Sequence, residues 1–90
     1  MKIINLEDNG VKYVNQFVVH LPSGIYFQSY NDLVAWKKND GSIAINPSAW
    51  DKSLTTKKHL CTFLGVTKYE LNEKIKNGEY ILADLTYNKY

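Results

Sequence analysis

Residues 11–21, VKYVNQFVVHL, alternate along the chain, with Val11, Tyr13, Phe17, Val19 and Leu21 on one parity. A period of two sends successive side chains to opposite faces of an extended backbone, so this spacing predicts a half-buried strand. Pro22-Ser23-Gly24 predicts a turn, because proline presets the first corner and glycine accepts a positive φ. Residues 25–28 return as the antiparallel partner. Residues 33–37 and 42–45 form a second hairpin around Asn39-Asp40-Gly41, a short-range turn signal. Residues 1–6 supply another strand, turned at Glu7-Asp8-Asn9-Gly10, and residues 80–85 a last one, added at an edge. The tail, residues 86–90, reads as frayed.

From residue 55 the period changes. Thr55 or Thr56 can cap a helix that buries Leu60, Phe63 and Leu64 and stops at Gly65. Thr67 and Glu70 then form a T-x-x-E capping box, in which hydroxyl and carboxylate each take the other residue's amide. Val66 and Leu71 are placed as its hydrophobic staple, Leu71 and Ile75 make the buried stripe, and Gly78 closes the helix. The pattern predicts a single α+β domain over residues 1–90: a mainly antiparallel sheet, a two-helix hairpin and a closing edge strand.

Composition narrows the function without naming it. A net charge of +2 on ninety residues is too small to argue for nucleic acid or membrane. One cysteine, Cys61, allows no internal disulfide and fits a reducing cytoplasm. No secretory leader and no apolar run of membrane-spanning length is visible, so no membrane partner is expected. His20 falls on the polar parity of its strand. His59 and Cys61 lie two apart on a helix and cannot face one metal, and zinc needs further ligands at tetrahedral spacing. Cys61 has Lys58 and His59 nearby, which could lower its pKa, but it reads as a small buried hydrophobe. No phosphate loop or nucleophile motif is present. The expectation is a non-enzymatic protein with no cofactor, no metal and no catalytic residues.

The helical hairpin suggests one binding chemistry. LGVTKYELNEKIKNGE resembles the helix-turn-helix of excisionase-like regulators: Leu64-Gly65-Val66 stands at the turn, Leu71 and Ile75 at core positions, Lys76-Asn77-Gly78 at the exit. That resemblance implies a DNA-binding surface of Lys57, Lys58, Lys68, Asn72 and Lys76. The charges argue against it. Glu70 and Glu73 offset Lys68, Lys74 and Lys76, and the chain has no arginine, the residue that makes the commonest specific contact to guanine.

A second resemblance covers most of the chain. FQSYNDLVAW, WDKSLTTKKHLCTFLG and IKNGEY are similar, in order and spacing, to small uncharacterised proteins of phages and mobile elements of low-GC Gram-positive bacteria. The matching positions are Ser29-Tyr30, Trp50-Asp51, Ser53, Thr55-Thr56 and Phe63-Leu64-Gly65; Lys52 stands where that pattern has an aromatic. The resemblance implies an accessory protein in a host cytoplasm that binds and modulates a host macromolecule. The expected partner is a host protein, bound in the manner of an anti-defence or host-takeover inhibitor, with DNA as the other possibility.

The aromatics supply a surface for such binding. Seven tyrosines and two tryptophans are many for this length. If Ile25, Phe27, Leu33 and Ala35 face the core, then Tyr26, Tyr30 and Trp36 lie on the opposite parity and are exposed. With Trp50 they are the expected partner-binding residues, since tyrosine and tryptophan give large contact area at low entropic cost. The other arrangement, in which the helices cover this face and the sheet faces switch at residue 29, stays open.

Overall fold

A computed structural model describes residues 1–85 as β1 (Lys2–Asp8), β2 (Val11–Leu21), β3 (Gly24–Ser29), β4 (Asp32–Lys38), β5 (Ile43–Ile45), α1 (Leu54–Leu64), α2 (Lys68–Lys76) and β6 (Tyr80–Leu82). The tail expected to fray, residues 86–90, lies outside the described residues. The strands form one six-stranded sheet in chain order, β1-β2-β3-β4-β5-β6. The first five pair antiparallel through short turns, and β6 pairs parallel to β5. A parallel neighbour needs a long crossover, and α1 with α2 provides it. The α+β architecture and closing edge strand expected from the sequence are what the chain adopts. Among the described residues no helix is long and apolar enough to cross a membrane.

The helices cover one sheet face. Phe27, Val34, Ala35, Ile45, Leu60, Phe63, Leu71 and Tyr80 form the main core there. The opposite face holds a smaller cluster of Val19, Tyr26, Leu33 and Leu85, edged by Phe17, Leu21, Trp36 and Ala83. Residues 83–85 thus leave the last strand and cross the back of the sheet. Only Tyr80–Leu82 of the strand expected at 80–85 is extended in the sheet.

Side-chain parity reverses twice, and both reversals correct the simple alternation. Asn15, within β2, sits at φ 64. Between the pairs Glu7–Lys12 and Asn5–Phe17, β1 advances two residues while β2 runs five. Tyr13 therefore faces the helices, against His59 at 4.4 Å, while Phe17, Val19 and Leu21 face the back. In β4, Phe27 opposes Ala35 but Gln28 opposes Leu33, so Val34 is the extra residue of a bulge. Leu33 consequently joins Tyr26 on the back face, not Phe27 and Ala35 on the core face.

Asn46, buried just after β5, holds the bulge. Its backbone N–H donates to the Val34 carbonyl at 2.8 Å and its side-chain Nδ2 to the Leu33 carbonyl at 2.8 Å. Its Oδ1 accepts from the Ser48 hydroxyl at 2.9 Å, which turns the chain out of the sheet.

The helix boundaries follow local chemistry. The first cap is Ser53, not Thr55 or Thr56: the Ser53 hydroxyl accepts from the Thr56 amide, at 3.1 Å. Gly65 ends α1 at φ 70. The Thr67–Glu70 box is complete, with both bonds formed at 3.0 and 3.1 Å. Val66 packs on the core that contains Leu71, as a staple requires.

Candidate functional site

The turn between β3 and β4 carries an unusual backbone. Tyr30 lies at φ 55 and is 56% exposed. Left-handed conformations are uncommon outside glycine and are an outlier for a bulky residue. The conformation persists because its surroundings hold it. The Tyr30 amide donates to the Asn15 carbonyl at 2.7 Å, and Gln28 Nε2 donates to the Tyr30 carbonyl at 2.7 Å. Asn15 is itself left-handed, so a left-handed residue of β2 and one of the β3–β4 turn brace each other.

The same turn is tied to the start of α1. Ser29 is buried, and its hydroxyl lies 3.3 Å from that of Thr56, which in turn accepts from the Ser53 hydroxyl at 3.1 Å. Lys52 and Asp32 pair across the gap at 3.0 Å. This exposed ion pair contributes little stability but marks the rim. Val14, beside Asn15, is 77% exposed, and Leu54, beside Ser53, is 74% exposed. The exposed Tyr30 thus stands on a scaffold braced from Asn15 and from the Ser53–Thr56 helix start, and the chain neighbours of those braces, Val14 and Leu54, are exposed as well. Trp50 lies half-buried nearby in the chain, its ring under Lys57 Nζ at 5.1 Å.

The other expected binding aromatics are elsewhere. Tyr26 is 4% exposed and stacks on its cross-strand partner Trp36, with centroids 5.2 Å apart and planes within 7°. Trp36 Nε1 donates to the Ser23 carbonyl at 3.1 Å. Gly24, at φ 139, has no room for a side chain, since a Cβ would strike the Lys37 carbonyl and Trp36 Nε1. Tyr26, Tyr30 and Trp36 do not make one exposed face: the first two share a parity but not an environment, and Tyr26 belongs to the back-face core.

The helical hairpin presents a second surface. Lys68, Asn72 and Lys76 follow one another at four-residue spacing on the exposed side of α2, flanked by the exposed Tyr69, while Leu71 is buried. Lys58 and Lys68 border a shallow groove of about 530 Å³ together with Asp8, Cys61 and Glu70. Lys57 is turned to Trp50. Lys74 pairs with Glu79 at 2.8 Å, which holds its ammonium charged above the ordinary range. The Glu70 carboxylate is kept below its ordinary pKa by the Thr67 cap.

Burial shapes the remaining titratable groups. It pushes the Cys61 thiol up, outweighing Lys68 and Lys57, so the lowering that basic neighbours could give does not occur. It pushes the His59 imidazole down, helped by Lys58. His59 Nδ1 and Gln16 Oε1 are buried without a hydrogen-bond partner among the described residues. Burial also lowers Lys37, whose Nζ donates to the Phe63 carbonyl at 2.8 Å, at the end of α1. Among the described residues no group of three His, Cys, Asp or Glu side chains could hold a metal ion.

Sequence reasoning missed Val14, Asn15 and Leu54. Asn15 left a readable signal: asparagine in a strand interior is depleted there and tolerates the left-handed region. Val14 and Leu54 left none that relates them to Tyr30, because that relation runs through Asn15 and through the Ser53–Thr56–Ser29 bonds, between residues far apart in the chain.

The chain belongs to a family described as Family of unknown function (DUF8033), whose model matches residues 1–80. No curated protein matches the chain, and no solved structure does.

Proposed function

We propose that this member of the family is a non-enzymatic accessory protein of phage or mobile-element type that binds a host protein through the end of the molecule built around Tyr30. One observation carries the reading. A large aromatic is held in a left-handed conformation, at a cost of about 1–3 kcal/mol, and yet its ring faces solvent. Folding gains nothing from that arrangement that glycine or asparagine would not supply more cheaply. A binding role does gain, because a rigid exposed tyrosine, braced by residues whose chain neighbours Val14 and Leu54 are also exposed, makes a preorganised anchor.

The test is affinity capture from the native host with tagged wild type, Tyr30→Gly, Leu54→Ser and the pair Lys68→Ala/Lys76→Ala. Wild type and the lysine variant should retain one stoichiometric host protein, and Tyr30→Gly and Leu54→Ser should lose it. Truncating a central aromatic anchor costs about 2 kcal/mol or more of binding. Retention by folded Tyr30→Gly would refute the assignment.

The second reading is DNA binding by α2, favoured by the exposed Lys68–Asn72–Lys76 row after a three-residue turn. A regulator of that kind shifts duplex DNA with steep salt dependence, and the lysine variant abolishes the shift.

A further inference from the structure

β1 is the long free edge of the sheet. Among the described residues it pairs with β2 alone, so its seven residues, Lys2–Asp8, present one row of unpaired backbone donors and acceptors. Exposed edges are usually blunted by proline, by charge, by short length or by a bulge; the irregularity between Asn5 and Glu7 puts its extra residues in β2, so β1 itself carries no inserted residue. The sequence KIINLED has no proline or glycine, and its charges stand only at the ends. The other edge, β6, has three residues before the chain turns to the back face.

The charges at the two ends of β1 are opposite: Lys2 at one, Glu7 and Asp8 at the other. An antiparallel copy centred on Asn5 therefore sets Lys2 opposite Asp8 twice, once at each end. The same register sets Ile4 opposite Leu6. Both lie on the helix-covered side, because Ile4 opposes Val18 and Leu6 belongs to the main core. Ile4 is 43% exposed there, beside an open depression of about 300 Å³ lined by Val18, Ile25 and Phe63. A second strand would cover it.

We infer that β1 pairs with β1 of a second copy of this chain, antiparallel about Asn5, joining two six-stranded sheets across a two-fold axis. The occupant is a second copy because the end charges are self-complementary and an isologous contact must satisfy each residue twice. The inference is independent of the host-binding role of Tyr30, which lies on the turn between β3 and β4.

Sedimentation of the full chain over a concentration series tests it. Wild type should show a reversible monomer–dimer equilibrium. Lys2→Glu and Asp8→Lys, each tested alone, turn two attractions into two repulsions and should weaken association about tenfold or more. An equimolar mixture of these two variants should recover it, because in the mixed pair both end contacts are again opposite in sign. Both side chains are exposed, so both variants should melt as wild type does. A chain that stays monomeric across the series overturns the pairing and leaves the edge to a strand of another protein. Single variants that associate as well as wild type, or a mixture that does not recover, overturn this register.

Discussion

The amide of Tyr30 donates to the carbonyl of Asn15 at 2.7 Å, and both residues stand in the left-handed region, at φ 55 and φ 64. A turn of one hairpin is thereby locked to a bulged strand of the next. The lock fixes where an exposed tyrosine ring points, and it leads to the first expectation. Tyr30→Gly should fold at least as stably as wild type, and by up to about 1 kcal/mol more, because glycine adopts this φ without steric cost. Chemical denaturation checks it. A clear loss of stability would mean that the ring packs, and the anchor reading would fall with it.

Asn46 is a polar residue placed for structure. It satisfies the carbonyls of both Leu33 and Val34 at the bulge in β4. Asn46→Ala keeps the backbone bond but removes the side-chain donor to the Leu33 carbonyl in a buried site. The expected loss is about 1–3 kcal/mol. An unchanged denaturation midpoint would show that the bulge does not need the side chain.

Thr67→Ala should cost about 1 kcal/mol, since it removes the acceptor for the Glu70 amide at the start of α2. Glu70→Gln separates hydrogen bond from charge: it can keep the bond to the Thr67 amide but loses the negative charge at the helix N-terminus. A smaller loss than for Thr67→Ala is expected from the same melts.

His59 gives the chain a pH dependence of known sign. Burial holds its folded pKa below the ordinary value of 6.5. In the unfolded chain the imidazole takes up its proton first as the pH falls, so acid favours unfolding. The His59 contribution is complete above about 6.5, declines as the pH drops from there toward the folded value, and is constant below it. His59→Gln should remove this part of the slope. The carboxylates of Asp40 and Glu70, held below their ordinary range by hydrogen bonds from Ser42 and Thr67, add a separate loss at lower pH in both proteins. Parallel stability profiles for wild type and His59→Gln through mildly acid pH would disprove the assignment.

Much of this molecule was legible residue by residue. The Thr67–Glu70 box, the stop at Gly65, the Asn39-Asp40-Gly41 turn and the existence of a strand at 11–21, though not its single face, each depend on neighbours a few residues away, and each appears in the fold where the chain placed it. Local bonding decided them, so local sequence was enough. The faces of the sheet were not decided locally. Parity survives only until a residue is inserted in one strand of a pair, and whether an insertion is tolerated depends on partners far along the chain. Asn15 is stabilised from Tyr30, and the Val34 bulge from Asn46. Those two contacts sent Tyr13 to the helices and Leu33 to the back and left Tyr30 in solvent, while Leu33, Leu85 and Trp36 buried Tyr26. The residue types of a binding surface were visible in the sequence; which of them reach solvent was settled only when distant backbone groups found one another.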